Sequence, residues 1–90
     1  MYEILYSQTA IEDIEKLKKS GEMNTLKKLA ALIDELQEHP QTGTGQPEQL
    51  KYNFTGYWSR RLSQKHRLVY QIEEEQVIVK IVSARGHYSK

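Results

Sequence analysis

The chain contains no cysteine. That excludes disulfide staples and thiolate chemistry, and it is compatible with a reducing cytosol. No apolar run approaches the roughly 18 to 20 residues of a membrane span. The opening MYEILYSQTA has neither the basic nor the apolar region of a signal peptide. The histidines at 39, 66 and 87 are dispersed without ligand spacing, so no zinc motif is present. GTGQP is not followed by Lys-Ser/Thr and does not open a helix, which rules out a Walker phosphate loop. No metal and no cofactor is implied. A net charge of only +1 also argues against a general binder of polyanions.

What is present is unevenly distributed. Residues 1–40 carry eight acids and five bases, for −3, whereas residues 41–90 carry four acids and eight bases, for +4. Such asymmetry points to an anionic partner met by the second half. Ninety residues, 38% hydrophobic and 28% charged, fit one small globular domain spanning residues 1–90.

Residues 2–6 alternate loosely and predict a short strand. Ser7 and Thr9 are both candidate N-caps, and Thr9 with Glu12 has capping-box spacing. Ile11, Ile14 and Leu17 then share a face, Lys18 and Lys19 sit in the last turn, and Gly21 offers a left-handed stop. In a second helix Leu26, Leu29, Ala30, Ile33 and Leu36 form the stripe to be buried, ended by Pro40. The short connection predicts an antiparallel helical hairpin that carries no chemistry. Beyond it the pattern turns to strands at 49–52, 57–62, 67–72 and 76–84, with turns near Gly56, Gln64 and Glu74. Short connections between the last three favour an antiparallel meander. Val77, Val79 and Ile81 fall on one face of the last strand, and Ile78 and Val82 on the other. The expected architecture is α+β: two N-terminal antiparallel helices packed on a small, mostly antiparallel sheet.

Residues 43–70, GTGQPEQLKYNFTGYWSRRLSQKHRLVY, concentrate the chemistry, together with the tail Arg85-Gly86-His87-Tyr88. Five bases and no acid lie between Lys51 and Ile72. A carboxylate, guanidinium groups, an imidazole and a phenol are the parts required to break a phosphodiester without a metal. RNA supplies its own nucleophile, the 2′-hydroxyl. The protein must take its proton, stabilise charge at phosphorus and protonate the departing 5′-oxygen.

Glu48 is the candidate base. Arg67 is the candidate phosphate clamp, because a guanidinium offers a planar fork to phosphate oxygens. His87 is the candidate acid, its unperturbed pKa lying nearest neutrality. Tyr88 either positions the phosphate or stacks on a base. Arg60 and Arg61 point to opposite faces, so at most one can join Arg67. With Lys51 and Lys65 they are the candidate RNA contacts, none of them catalytic. His66 is expected to pack in the sheet, His39 to cap the helix before Pro40, and Trp58 to serve the core or a partner.

The run G-x-G-x-P-E-x-L-K, then G-Y-W-S-R-R and H-R-L-V-Y, closing on H-Y, resembles the YoeB/Txe branch of the RelE/ParE toxin superfamily. Strand–helix–helix–sheet order agrees, so the resemblance spans nearly the whole chain. It implies a RelE-like, microbial-ribonuclease-like fold and a toxin of a bacterial type II toxin–antitoxin system acting in the cytoplasm. The implied activity is that of an mRNA interferase, a ribosome-dependent endoribonuclease cutting message in the A site and so inhibiting translation. Implied partners are the ribosome, mRNA, a YefM/Axe-type antitoxin and a second copy of the chain. Carried over residue by residue, the family's catalytic set falls on Glu48, Arg67, His87 and Tyr88. Two departures stand out: Ser89 and Lys90 follow the His-Tyr pair, and the loop reads P-E-Q where P-E-P is common. The alternative is a ParE-like toxin that binds DNA gyrase without cutting RNA. That branch does not need Arg67 with His87-Tyr88.

Overall fold

The computed structural model describes residues 1–51 and 56–86. Tyr52, His87, Tyr88, Ser89 and Lys90, which figured in the expectations above, lie outside the described residues. The elements run β1 (Glu3–Tyr6), α1 (Gln8–Lys19), α2 (Met23–Leu36), β2 (Glu48–Gln49), β3 (Tyr57–Arg61), β4 (Arg67–Glu73) and β5 (Ile78–Ser83). The strands form one five-stranded sheet in the order β1-β5-β4-β3-β2. β2 to β5 pair antiparallel and β1 joins β5 in parallel. This is the expected α+β layout.

Details of the helices differ from the expectation. Ser7 is the N-cap of α1, its hydroxyl accepting the Ala10 N–H at 3.0 Å and donating to the Val82 carbonyl at 2.6 Å. Thr9 lies inside the helix. The cap belongs to Ser7 because that hydroxyl also meets β5, a contact from which local spacing is silent. Ile11 is largely exposed, and Ala10, Asp13 and Leu17 are the buried positions. Asp13 accepts the Ala84 N–H at 3.1 Å, fastening α1 to the chain that leaves β5. Gly21, at φ 73°, makes the left-handed turn between the helices.

On α2 the deeply buried stripe is Leu29, Leu32 and Leu36 with Thr25. Ala30 is exposed, and Leu26 and Ile33 are half-buried. The stripe is thus rotated from the one expected, because α2 faces both the sheet and α1 rather than the sheet alone. Val77 leaves β5 and occupies the preceding turn at φ 56°. β2 is reduced to Glu48–Gln49.

The core lies between the helices and one sheet face. Leu29, Leu32 and Leu36 meet Leu68, Tyr70, Val79 and Ile81. Register decides this face: Trp58 stands opposite Tyr70, Arg60 opposite Leu68, and Tyr70 opposite Ile81. By the period-two alternation of strands, Ser59, Arg61, Arg67 and Val69 point the other way. Truncating a fully buried leucine such as Leu32 or Leu36 would cost about 2–5 kcal/mol.

Candidate active site

Glu48 is presented by a loop that is braced from beneath. Arg60, expected among the RNA contacts, is fully buried on the helix side of β3. Its Nε donates to the Tyr70 hydroxyl at 3.0 Å. Nη2 donates to the carbonyls of His39 and Thr42, and Nη1 to the Thr44 carbonyl and to the Glu35 carboxylate. Glu35 also accepts the Thr44 N–H at 2.6 Å and its hydroxyl at 2.9 Å. Partial burial alone would push the Glu35 carboxyl up, but the two Thr44 bonds and the Arg60 guanidinium together hold it below its ordinary value. Tyr70 completes the brace by donating to the Pro40 carbonyl at 2.8 Å. Burial first of all raises its phenol, with Arg60 opposing.

Arg60 is therefore a structural cation. It ties residues 39–44 to the sheet, and an RNA strand has no access to it. The loop passes so close that Gly43 is required. At φ 118° a Cβ there would fall 2.0 Å from Glu35 Oε1, and only glycine tolerates both conditions.

Beyond Pro47 the chain enters β2, where Glu48 pairs with Ser59 of β3. Ser59 is buried on the face away from the helices, and its hydroxyl accepts Nε and Nη2 of Arg67 at 3.2 and 2.9 Å. Arg67 Nη2 then lies 3.7 Å from Glu48 Oε2, with 11% of the arginine side chain and 55% of the glutamate side chain exposed. That separation makes an ion pair without a close hydrogen bond. Arg61 stands directly opposite Arg67 in the β3–β4 ladder, on the same face, and is exposed. Its backbone N–H donates to the Gly45 carbonyl at 2.7 Å, fixing the loop against the strand. Lys51 and Lys65 are also exposed, Lys51 just after β2 and Lys65 in the β3–β4 turn.

Of the four expected catalytic residues, the structure brings Glu48 and Arg67 together. His87 and Tyr88 fall outside the described residues. The chain leading to them is placed, since Gly86 accepts the Arg67 backbone N–H on its carbonyl at 3.0 Å.

Two residues of this neighbourhood were not expected to take part. Ser59 had a signal: a small hydroxyl between Trp58 and Arg60, on the strand face shared with Arg61. His66 was expected to pack in the sheet; it is buried instead in the β3–β4 turn, directly before Arg67. Its partners Glu22 and Gly86 are distant in sequence and left no local trace. Chemically, a carboxylate beside a guanidinium, with a second guanidinium opposite, can accept a proton and hold an anion on one face.

Comparison with known proteins points to one family of bacterial toxins. Residues 6–88 match the model of the YoeB-like toxins of bacterial type II toxin–antitoxin systems. The chain is 40% identical over 72 residues to a YoeB toxin of Synechocystis, covering 80% of this chain and 81% of that one. A YoeB/ParE toxin from Agrobacterium tumefaciens superposes with a TM-score of 0.88 at 29% identity, covering 96% of this chain and 99% of that one. The YoeB toxin of Staphylococcus aureus has been solved in a heterotetrameric complex with YefM and as a dimer. Its TM-scores are 0.81 and 0.82 at 35% identity, covering 98% and 97% of this chain and 99% and 98% of those. The chain belongs to the YoeB-like toxin family of bacterial type II toxin–antitoxin systems.

Proposed function

We propose that this toxin is a ribosome-dependent endoribonuclease that cuts mRNA in the A site without a metal. The reading rests on one juxtaposition: Glu48 and Arg67 meet at 3.7 Å on the sheet face away from the helices, with Gly86 hydrogen-bonded to the Arg67 backbone. In this scheme Glu48 removes the proton of the 2′-hydroxyl. The 2′-oxygen forms a bond to phosphorus, and the bond from phosphorus to the 5′-oxygen breaks. His87, reached one residue after Gly86, protonates that oxygen. The products are a 2′,3′-cyclic phosphate and a 5′-hydroxyl.

Arg67, oriented by Ser59, exchanges its long contact with Glu48 for the phosphate oxygens as negative charge accumulates there. Tyr88 positions the phosphate or stacks on a base. Arg61, Lys51 and Lys65 neutralise neighbouring phosphates. A surplus of +4 over residues 41–90 gives weak, salt-sensitive hold on free RNA. The ribosome then supplies the orientation that a small enzyme lacks.

Acting in the bacterial cytoplasm, such a toxin requires neutralisation. A YefM-type antitoxin segment that covers the basic face fits this chain, as does pairing with a second copy, by likeness to the Staphylococcus aureus proteins.

The test is to program ribosomes with a defined message, add the purified toxin and map the new ends. Cleavage should require the ribosome, continue in chelator and stop when the sugar at the scission point is 2′-deoxy. Cutting of the deoxy substrate would refute the mechanism. DNA damage with intact message and continued translation would instead favour gyrase poisoning by a ParE-like toxin.

A further inference from the structure

The β3–β4 turn holds a buried histidine that the proposed chemistry leaves unused. His66 directly precedes Arg67, and both of its ring nitrogens are engaged. Nδ1 accepts the Gly86 N–H at 2.8 Å, and Nε2 lies 3.0 Å from Glu22 Oε1. A backbone N–H can only donate, so Nδ1 must carry a lone pair and Nε2 the hydrogen. Glu22 selects that tautomer by accepting the Nε2–H. The glutamate is itself held in place by the Ser20 hydroxyl, at 2.5 Å from Oε2. The same bond is the foremost reason its carboxyl stays below its ordinary value, partial desolvation opposing and His66 adding to it. Gly86 is gripped on both sides: its N–H by His66 and its carbonyl by the Arg67 N–H. It sits at φ 69°, in the left-handed region that favours glycine.

From this arrangement we infer that His66, oriented by Glu22 of the helical hairpin, is a positioning residue that sets where the C-terminal tail leaves the sheet relative to Arg67. The inference rests on the nuclease reading for its consequence, because the tail carries the candidate general acid. It adds a role for the α1–α2 turn, which joins the site through one imidazole.

Two variants separate positioning from mere packing. In His66→Asn the side-chain oxygen takes the place of Nδ1 and still accepts from Gly86. In His66→Gln the amide reaches the Nε2 position, keeping Glu22 and losing Gly86. On programmed ribosomes His66→Gln should lower kcat by roughly 10- to 100-fold, the scale of a small misplacement of a catalytic group. KM should stay within about twofold, because the phosphate-binding groups are untouched. His66→Asn should recover most of the lost rate. Equal losses in both variants, or a loss carried by KM, would overturn the inference.

A second measurement needs no variant. In the labelled wild-type toxin, a scalar coupling across the hydrogen bond between Gly86 N and His66 Nδ1 should be resolved. Its absence would overturn the inference even if both variants misfold. If the wild type leaves programmed message uncut while that coupling is present, the nuclease reading falls and the anchoring of the tail stands.

Discussion

Arg60 and Arg67 stand on adjacent strands of one sheet, and the two sides of that sheet treat the same side chain in opposite ways. On the helix side Arg60 is fully buried, and its fork is occupied by Glu35, Tyr70 and the carbonyls of His39, Thr42 and Thr44. On the other side, among the described residues, Arg67 meets one hydroxyl at hydrogen-bond distance and one exposed carboxylate at 3.7 Å. A guanidinium surrounded by matched acceptors in a dry interior serves stability and has nothing to offer a ligand. One steadied by a neutral hydroxyl and paired at 3.7 Å with an exposed carboxylate can exchange that carboxylate for another anion at lower cost. The difference lies in what each face is packed against.

The comparison breaks most visibly at Arg60. Replacing it with alanine removes the cation from beneath Glu35 and takes the arginine donors from the carbonyls of His39, Thr42 and Thr44. Unfolding in urea should show a loss of about 3–5 kcal/mol, enough to threaten a domain of this size. Exchanging Arg60 and Glu35 together for apolar residues should cost less than either single change. Arg67→Ala should do the reverse, lowering the rate of message cleavage by roughly 10²–10³-fold while moving the urea midpoint less than Arg60→Ala does. Arg67→Lys should recover little, since an ammonium lacks the planar fork. If Arg67→Ala instead unfolds the chain, the contrast between the faces is wrong.

Acid sharpens the contrast from the stability side. The folded state holds Glu35 below its ordinary value of 4.5, so its contribution is fully present above that value. The contribution disappears as pH falls through the lower folded value. The wild type should therefore lose stability below pH 4.5 more steeply than Glu35→Gln, which should be weaker at neutral pH and flatter in acid. Parallel profiles would show that the brace is not ionic.

Smaller still, Ser59→Ala removes the hydroxyl under Arg67 and should cost about 1–2 kcal/mol of transition-state stabilisation, read in kcat/KM. Lys51→Ala and Lys65→Ala should each reduce the salt dependence of ribosome binding by about one unit of slope, leaving kcat unchanged.

Much of this was legible along the chain. The helices, the meander and the linked motifs around Glu48 and Arg67 follow from patterns a few residues long. So did the opposition of Arg60 and Arg61. Alternation says that neighbours in a strand point opposite ways, but it does not say which way the core lies. Both arginines were therefore expected on RNA, and only the register Arg60↔Leu68 assigns Arg60 to the interior. The α2 stripe was misplaced for a related reason: Leu32 is central and Ala30 exposed because the helix packs against two neighbours, which a single-face periodicity cannot register.

By itself, then, the order of residues determined which elements form and which functional groups the chain has to offer, since propensity, periodicity and functional-group type are local properties. Tertiary structure decided which arginine is structural, that Ser59 steadies Arg67, and that Glu22 reaches His66 across 44 positions. Those are contacts between distant segments. They come into being only when sheet register and helix packing together select one face for burial and leave the other to meet a ligand.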